Sequence, residues 1–431
     1  MILCAIAIIF FLGYLAIAFE HPLKINKSAT ALLLGTVLWL IWFKTQTSPE
    51  GEAQAMHHLF ETFGDLSQIL LFLVAAMTIV AIIDMNDGFS IITSRIKTND
   101  ARALMWIISG VSFVLSAILD NLTTAIVMMT ICRKLVSNTK ERLFFAGLII
   151  IAANVGGAWS PIGDVTTTML WIDGQISALG IIKSAFLPSL VCNLVPLIVL
   201  SFFIKGKISH EHEPEVPEAH KPTPFEKKIL FLCGLCGFLM VPTIKTIFHV
   251  PPYLAIFFVL GVLWLIVELL RRNHPHQNVP RLNLYHILRK VDLASILFFA
   301  GILLAIGCLS ATEQLTAVAK ILDDNIGDIR LITFTIGIFS AIIDNVPLVG
   351  AIMKMYPVDA TSAIFRQDGF FWGFASYCAG TGGNLLVIGS AAGIAVMGMD
   401  KNLTFGWYLK RITPIAFLGY AAGAAVFLAW N

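Results

Sequence analysis

The sequence predicts an all-α polytopic membrane protein built from two inverted repeats, each with five transmembrane crossings, one re-entrant hairpin and one broken helix. Three observations predict it: apolar segments of spanning length, four longer apolar stretches interrupted near their middles, and landmarks that recur at a constant spacing. Of the 431 residues, 57% are hydrophobic and 13% charged, where a soluble domain carries about a quarter charged. With a mean hydropathy of +0.83, most of the chain is solvated by lipid.

A helix crossing the hydrocarbon layer needs about 20 mostly apolar residues. Segments 2–19, 28–44, 67–84, 184–204, 228–247, 253–270, 293–311 and 412–430 satisfy this. No basic stretch precedes 2–19, so it reads as a retained helix rather than a signal peptide. Segments 103–134 and 330–356 fit helix–tip–helix hairpins that enter and leave on one side, and 143–172 and 370–399 fit single spans broken at their centres. With the N- and C-termini on the outer side, 22 of the 29 Lys and Arg residues fall in cytoplasmic segments, as the positive-inside rule requires. The stretch 45–66, free of Lys and Arg, reads as an outer loop.

The chain divides into repeat one (1–204), a cytoplasmic linker (205–227) and repeat two (228–431). The linker is rich in Pro, Glu and His and cannot bury a core; its His210-x-His212 reads as solvated rather than metal-bound. Ser116–Asn121 recurs as Ser340–Asn345 at an offset of 224, and Gly156-Gly157, Gly163 and Pro188 recur as Gly382-Gly383, Gly389 and Pro414 at 226. Five crossings is an odd number, so repeat two must lie upside down relative to repeat one.

Chemistry concentrates at the interruptions. Asp120 and Asn121, followed by Thr123 and Thr124, sit inside an apolar stretch. An ionised carboxylate there costs at least ~2.5–3.5 kcal/mol and survives facing protein, water or a cation. Asp344 and Asn345 are its mates. An Asp at such a tip also caps the helix that follows, a role compatible with ion binding. In 143–172, Gly156, Gly157, Pro161 and Gly163 break the helix and free backbone carbonyls. Asn154, Ser160, Asp164, Thr166 and Thr167 add hard oxygen donors, the kind hard cations prefer. Repeat two offers Thr381, Asn384 and Ser390, with Ser390 aligned to Asp164. No Lys or Arg lies near either tip in the sequence. Asp84, Asp87 and Glu268 read as solvated helix ends, His57 and His58 as an exposed pair, and the seven cysteines, including Cys233 and Cys236, as ordinary apolar-segment residues.

At these residues the chain resembles the ion transporter superfamily, and within it the NhaD-type sodium/proton antiporters. The motifs SAILDNLTTAIVMM, NVGGAWSPIGDVTTTMLW, SAIIDNVPLVGAIM and GTGGNLLVIGSAAG carry the resemblance. It implies exchange of Na⁺ or Li⁺ for H⁺ in a bacterial inner membrane, with Asp120, Asn154, Asp164, Thr166, Thr167 and Asp344 essential. Na⁺ is expected at Asp120, Asn154, Asp164 and Thr166, with the remaining tip and break residues around it. Dicarboxylate carriers of the superfamily have Ser-Asn-Thr tips; the Asp-Asn tips here favour a cation over a Na⁺-coupled dicarboxylate, the alternative cargo. An arsenite-type efflux permease is a further rival. The superfamily is often homodimeric. Neither catalysis, a cofactor nor a nucleic-acid partner is expected, because no nucleotide loop or catalytic His motif occurs at membrane depth.

Overall fold

The computed structural model describes residues 2–18, 20–96, 98–204, 206, 222–272 and 282–431; His210 and His212 of the linker lie outside them. All regular elements among the described residues are helices, and seven are long and apolar enough to cross a membrane. The first half holds α1 (Ile2–Ala18), α2 (Glu20–Leu23), α3 (Lys27–Thr45), α4 (Pro49–Met85), α5 (Ser90–Thr93), α6 (Ala101–Ser116), α7 (Asn121–Leu135), α8 (Thr139–Gly157), α9 (Val165–Ile172) and α10 (Ala178–Phe203). The second holds α11 (Pro224–Phe248), α12 (Pro252–Arg272), α13 (Leu284–Leu288), α14 (Leu293–Ala311), α15 (Gln314–Ile326), α16 (Ile329–Phe339), α17 (Asn345–Met355), α18 (Phe370–Gly382), α19 (Ala391–Met399), α20 (Phe405–Arg411) and α21 (Thr413–Trp430).

Contacts recur in matched pairs. Helix α6 packs on α8 and α16 on α18, α1 packs on α3 and α11 on α12, while α3 lies against α14 and α4 against α12. Ser116 Oγ donates to the Ala153 carbonyl at 2.5 Å, and Ser340 Oγ to that of Ala379 at 2.7 Å. Close approach explains two glycines: a Cβ on Gly156 would overlap the Phe113 carbonyl, and one on Gly382 the Gly337 carbonyl. Backbones in contact with no side chain between them are how helices associate without help from hydrophobicity. Tyrosines fasten α21 to both α16 and α18, as Tyr377 of α18 donates to the Tyr420 carbonyl and Tyr420 to that of Phe334 on α16, both at 2.8 Å.

The structure differs from the sequence reading in three places. The stretch 45–66 is no loop: α4 runs unbroken for 37 residues, about 55 Å at 1.5 Å per residue. Ser48 caps it by accepting from Gly51 N at 3.1 Å, Pro49 opens it, and Glu50 and Glu52 occupy its first turn, where acids suit the helix dipole. The span at 184–204 begins earlier, at Ala178, on a Ser177 cap, and carries Pro188 and Pro196 internally. Helix α15, with Leu315 and Ala319 buried and Val318 and Ile321 exposed, occupies the stretch left as a connection between the expected span 293–311 and the expected hairpin 330–356.

Arg142 at the start of α8 meets Asp400 at the end of α19, Nε to Oδ2 at 2.8 Å, and also donates to the Val136 and Ser137 carbonyls at 3.3 Å. The Asp400 side chain is 4% exposed. Removing one partner of a buried pair leaves the other charge uncompensated, at about 3–5 kcal/mol. Arg142→Met should therefore lower the unfolding temperature of the detergent-solubilised protein by several degrees, read by intrinsic fluorescence; an unchanged transition would show the pair to be idle.

Candidate functional site

Four helices restart inside the bundle, each on a side-chain cap. Asp120 opens α7 by accepting from Thr123 N and Thr123 Oγ1, both at 2.7 Å. Asp164 opens α9 by accepting from Thr166 N at 3.2 Å, and Asp344 opens α17 by accepting from Val346 N at 3.2 Å. Ser390 opens α19 by accepting from Gly393 N at 3.1 Å. Such caps satisfy backbone donors that a helix start leaves open.

Six of these tip and break residues join one buried network. Asp164 Oδ2 accepts from Asn121 Nδ2 at 3.1 Å and from Asn345 Nδ2 at 3.3 Å. The same Asn121 amide donates to Asn154 Oδ1 at 3.1 Å, and Asn154 Nδ2 donates to Asn384 Oδ1 and Ser390 Oγ, both at 2.8 Å. Asp164 is 2% exposed, and its five partners in the network are 5% or less. The backbone of α18 passes the carboxylate at Gly380. The network thus joins α7, α8, the cap of α9, the start of α17 and both sides of the break after α18. Asp164 is its one ionisable member.

The remaining sequence-predicted residues frame this network. Thr166 contributes its backbone N–H, and Thr124 Oγ1, one turn along α7 from Asn121, is buried without a hydrogen-bond partner, as is Asn384 Nδ2. Thr167 Oγ1 meets Ser376 Oγ at 3.1 Å. Ser160 donates to the Ala117 carbonyl at 2.5 Å and Thr381 to that of Tyr377 at 2.6 Å. Both oxygens of half-buried Asp120 turn onto Thr123. Asp344 pairs with Lys27, Nζ to Oδ2 at 3.3 Å. This overturns the expectation that no basic residue lies near a tip: Lys27 is 317 positions away, and packing alone brings it there. Sequence reasoning also missed Ser376 and Tyr408, which donates to the Asn384 carbonyl at 2.8 Å.

The donor set of carboxylate, amide and hydroxyl oxygens suits a proton or a hard monovalent cation. A family model described as "Citrate transporter" (CitMHS) matches residues 14–372. The chain belongs to this family. It is 44% identical over 425 residues to sodium/proton antiporter 1 of Arabidopsis thaliana, spanning 99% of this chain and 72% of that protein. Identity to the Na⁺/H⁺ antiporter NhaD of Vibrio cholerae is 30%, over 99% of this chain and 91% of that one. Within the family the chain is thus of NhaD type. The solved structure of the YdaH transporter from Alcanivorax borkumensis matches with a TM-score of 0.56 at 11% identity, covering 97% of this chain and 98% of that chain. That likeness concerns the fold.

Asn154 is the joint between the two halves. Asn154→Leu keeps much of the volume but strands the Asn384 oxygen and one Asn121 proton, at about 1–3 kcal/mol per buried group left unpaired. The unfolding midpoint in detergent should fall measurably, whereas Thr130→Ala, which removes an exposed hydroxyl bonded within its own helix, should leave it in place.

Proposed function

We propose that the chain is a secondary transporter exchanging Na⁺ or Li⁺ for H⁺ by alternating access, with Asp164 as the carboxylate on which the two cations compete. The observation that carries this is the company Asp164 keeps. Its partners are neutral: two side-chain amides and a backbone N–H. Neutral donors stabilise the charge without cancelling it, so a proton or a metal cation is required for that, and one displaces the other. The amides suit the exchange, because an Asn offers NH₂ on one side and oxygen on the other. Their NH₂ groups face the bare carboxylate; turned about, Asn121 and Asn345 present oxygens to a cation, beside the Thr124 hydroxyl. Asp120, at the adjacent first tip, contributes charge to the same region.

The matched Ser–carbonyl and Gly–carbonyl contacts of the two halves and the skewed Lys and Arg distribution support an inverted repeat with re-entrant tips. In this reading, α6 to α9 and α16 to α19 move against a frame that includes α3, α4, α12 and α14. Both termini lie outside, in a bacterial inner membrane. The Arabidopsis relative shows that membership in the group is not confined to bacteria.

The family description names citrate, and a carboxylate cargo in this network would meet the like charge of Asp164 with no cationic side chain to offset it. Among the described residues the network holds none, and Lys27 is already paired with Asp344.

In vesicles holding a pH gradient, Na⁺ or Li⁺ should dequench a pH-gradient dye through the wild-type chain. Asp164→Asn should abolish this response while still reaching the membrane. Normal exchange by that variant would remove Asp164 from the mechanism, and uptake of labelled citrate without cation exchange would favour an anion carrier.

A further inference from the structure

The second tip carries a charge arrangement that the first lacks. Lys27, the first residue of α3, reaches Asp344 at 3.3 Å, with the two side chains 21% and 15% exposed. Its ammonium also lies 4.3 Å from the centre of the Phe298 ring on α14, so α14 as well as the tip holds it in place. The other Asp344 oxygen is spent on Val346 N, at 3.2 Å. The pair lines a cavity with Tyr14, Glu20 and Phe298 among its walls. At the first tip, Asp120 makes its contacts with Thr123 instead.

We propose that Lys27 is the resident counter-cation of Asp344, and that it withdraws this carboxylate from the groups that bind transported Na⁺. The inference rests on the sodium/proton reading above and departs from the sequence-based expectation that Asp344 belongs with the residues around the cation. Asp344 is already paired and already caps a helix, so a second cation at that carboxylate would have to sit against the Lys27 ammonium. The pair still matters to the site, because the next residue, Asn345, donates to Asp164 at 3.3 Å. An imbalance at position 344 is therefore felt one residue from the exchanging carboxylate. Lys27 acts as a positioning residue that holds the second tip electrically silent and docked on α3 and α14. The two tips are thereby chemically unequal.

The test is a double-mutant cycle on the full chain in vesicles, reading KM for Na⁺ and turnover at one fixed pH. Asp344→Asn strands the Lys27 charge near the site and should raise KM about fivefold, whereas Lys27→Met strands the carboxylate and should lower KM about threefold, the size of a unit charge acting across a partly screened gap. The double variant Lys27→Met/Asp344→Asn should return KM to within about twofold of wild type, since it removes both charges together. Lys27→Arg should behave as wild type. Opposite signs in the single variants with recovery in the double are not what loss of structure produces. A double variant as impaired as Asp344→Asn would show that Asp344 binds Na⁺ directly and would overturn the inference, as would a Lys27→Met protein with wild-type KM. Should Lys27→Met fail to reach the membrane, the double variant set against Asp344→Asn decides alone. A wild-type chain with no Na⁺-driven proton flux would instead sink the sodium/proton reading itself.

Discussion

A carboxylate shut away from water and surrounded by neutral donors is the constraint from which the rest of this architecture follows. Water is excluded around Asp164, so the group must be served by whatever the protein can aim at it, and three N–H groups are aimed. Each comes from a different place: a helix beginning at Asp164 itself, the start of α7 and the start of α17. An uninterrupted helix could not present the Thr166 backbone N–H at this depth, because its own carbonyls would already hold it, and the two side-chain amides come from the residues that open α7 and α17. The helix breaks are therefore part of the electrostatics, and glycines that let backbones touch are what allow two broken helices and two tips to converge.

Convergence is achieved asymmetrically. The sequence positions match across the halves, yet Asp164 faces Ser390 in alignment, and Asn154 has no amide counterpart at Gly380. The hydrogen bonds follow that difference. Asn154 reaches across to Asn384 and Ser390, while Gly380 lets α18 pass close to the carboxylate. One half brings the charge and the other brings room and neutral oxygens.

Much of this could be read from residues alone. Gly156, Gly157, Pro161 and Gly163 announced a broken helix, and a polar Asp-Asn pair inside an apolar run announced a tip. Of the residues singled out there, Asn121, Asn154, Asp164, Asn345, Asn384 and Ser390 share one network, while Asp120 and Asp344 bond elsewhere. What could not be read was direction and partner. Asn154 was legible as an oxygen donor, but that the NH₂ face of Asn121 meets both Asp164 and Asn154 depends on packing across 43 and 33 positions respectively. Lys27 was invisible for the same reason at greater range. The extension of α4 was a different failure: polar, acidic residues from Pro49 to Asp65 suggested a loop, although Ser48-Pro49-Glu50 is a sound helix start. Hydropathy tracks where lipid begins, and a helix need not end there.

That extension gives α4 a mechanical character. At Asp65 the rod holds Lys354 of α17 at 3.0 Å. Beyond its other end, Asp87 pairs with Lys227 at the start of α11. An unbroken α-helix resists bending far more than the loops at its ends resist displacement. The stretch of α4 between these two ion pairs is one continuous helix that ties α17 to the start of α11. A rod held near its middle and just past its end fixes the separation of those two attachments.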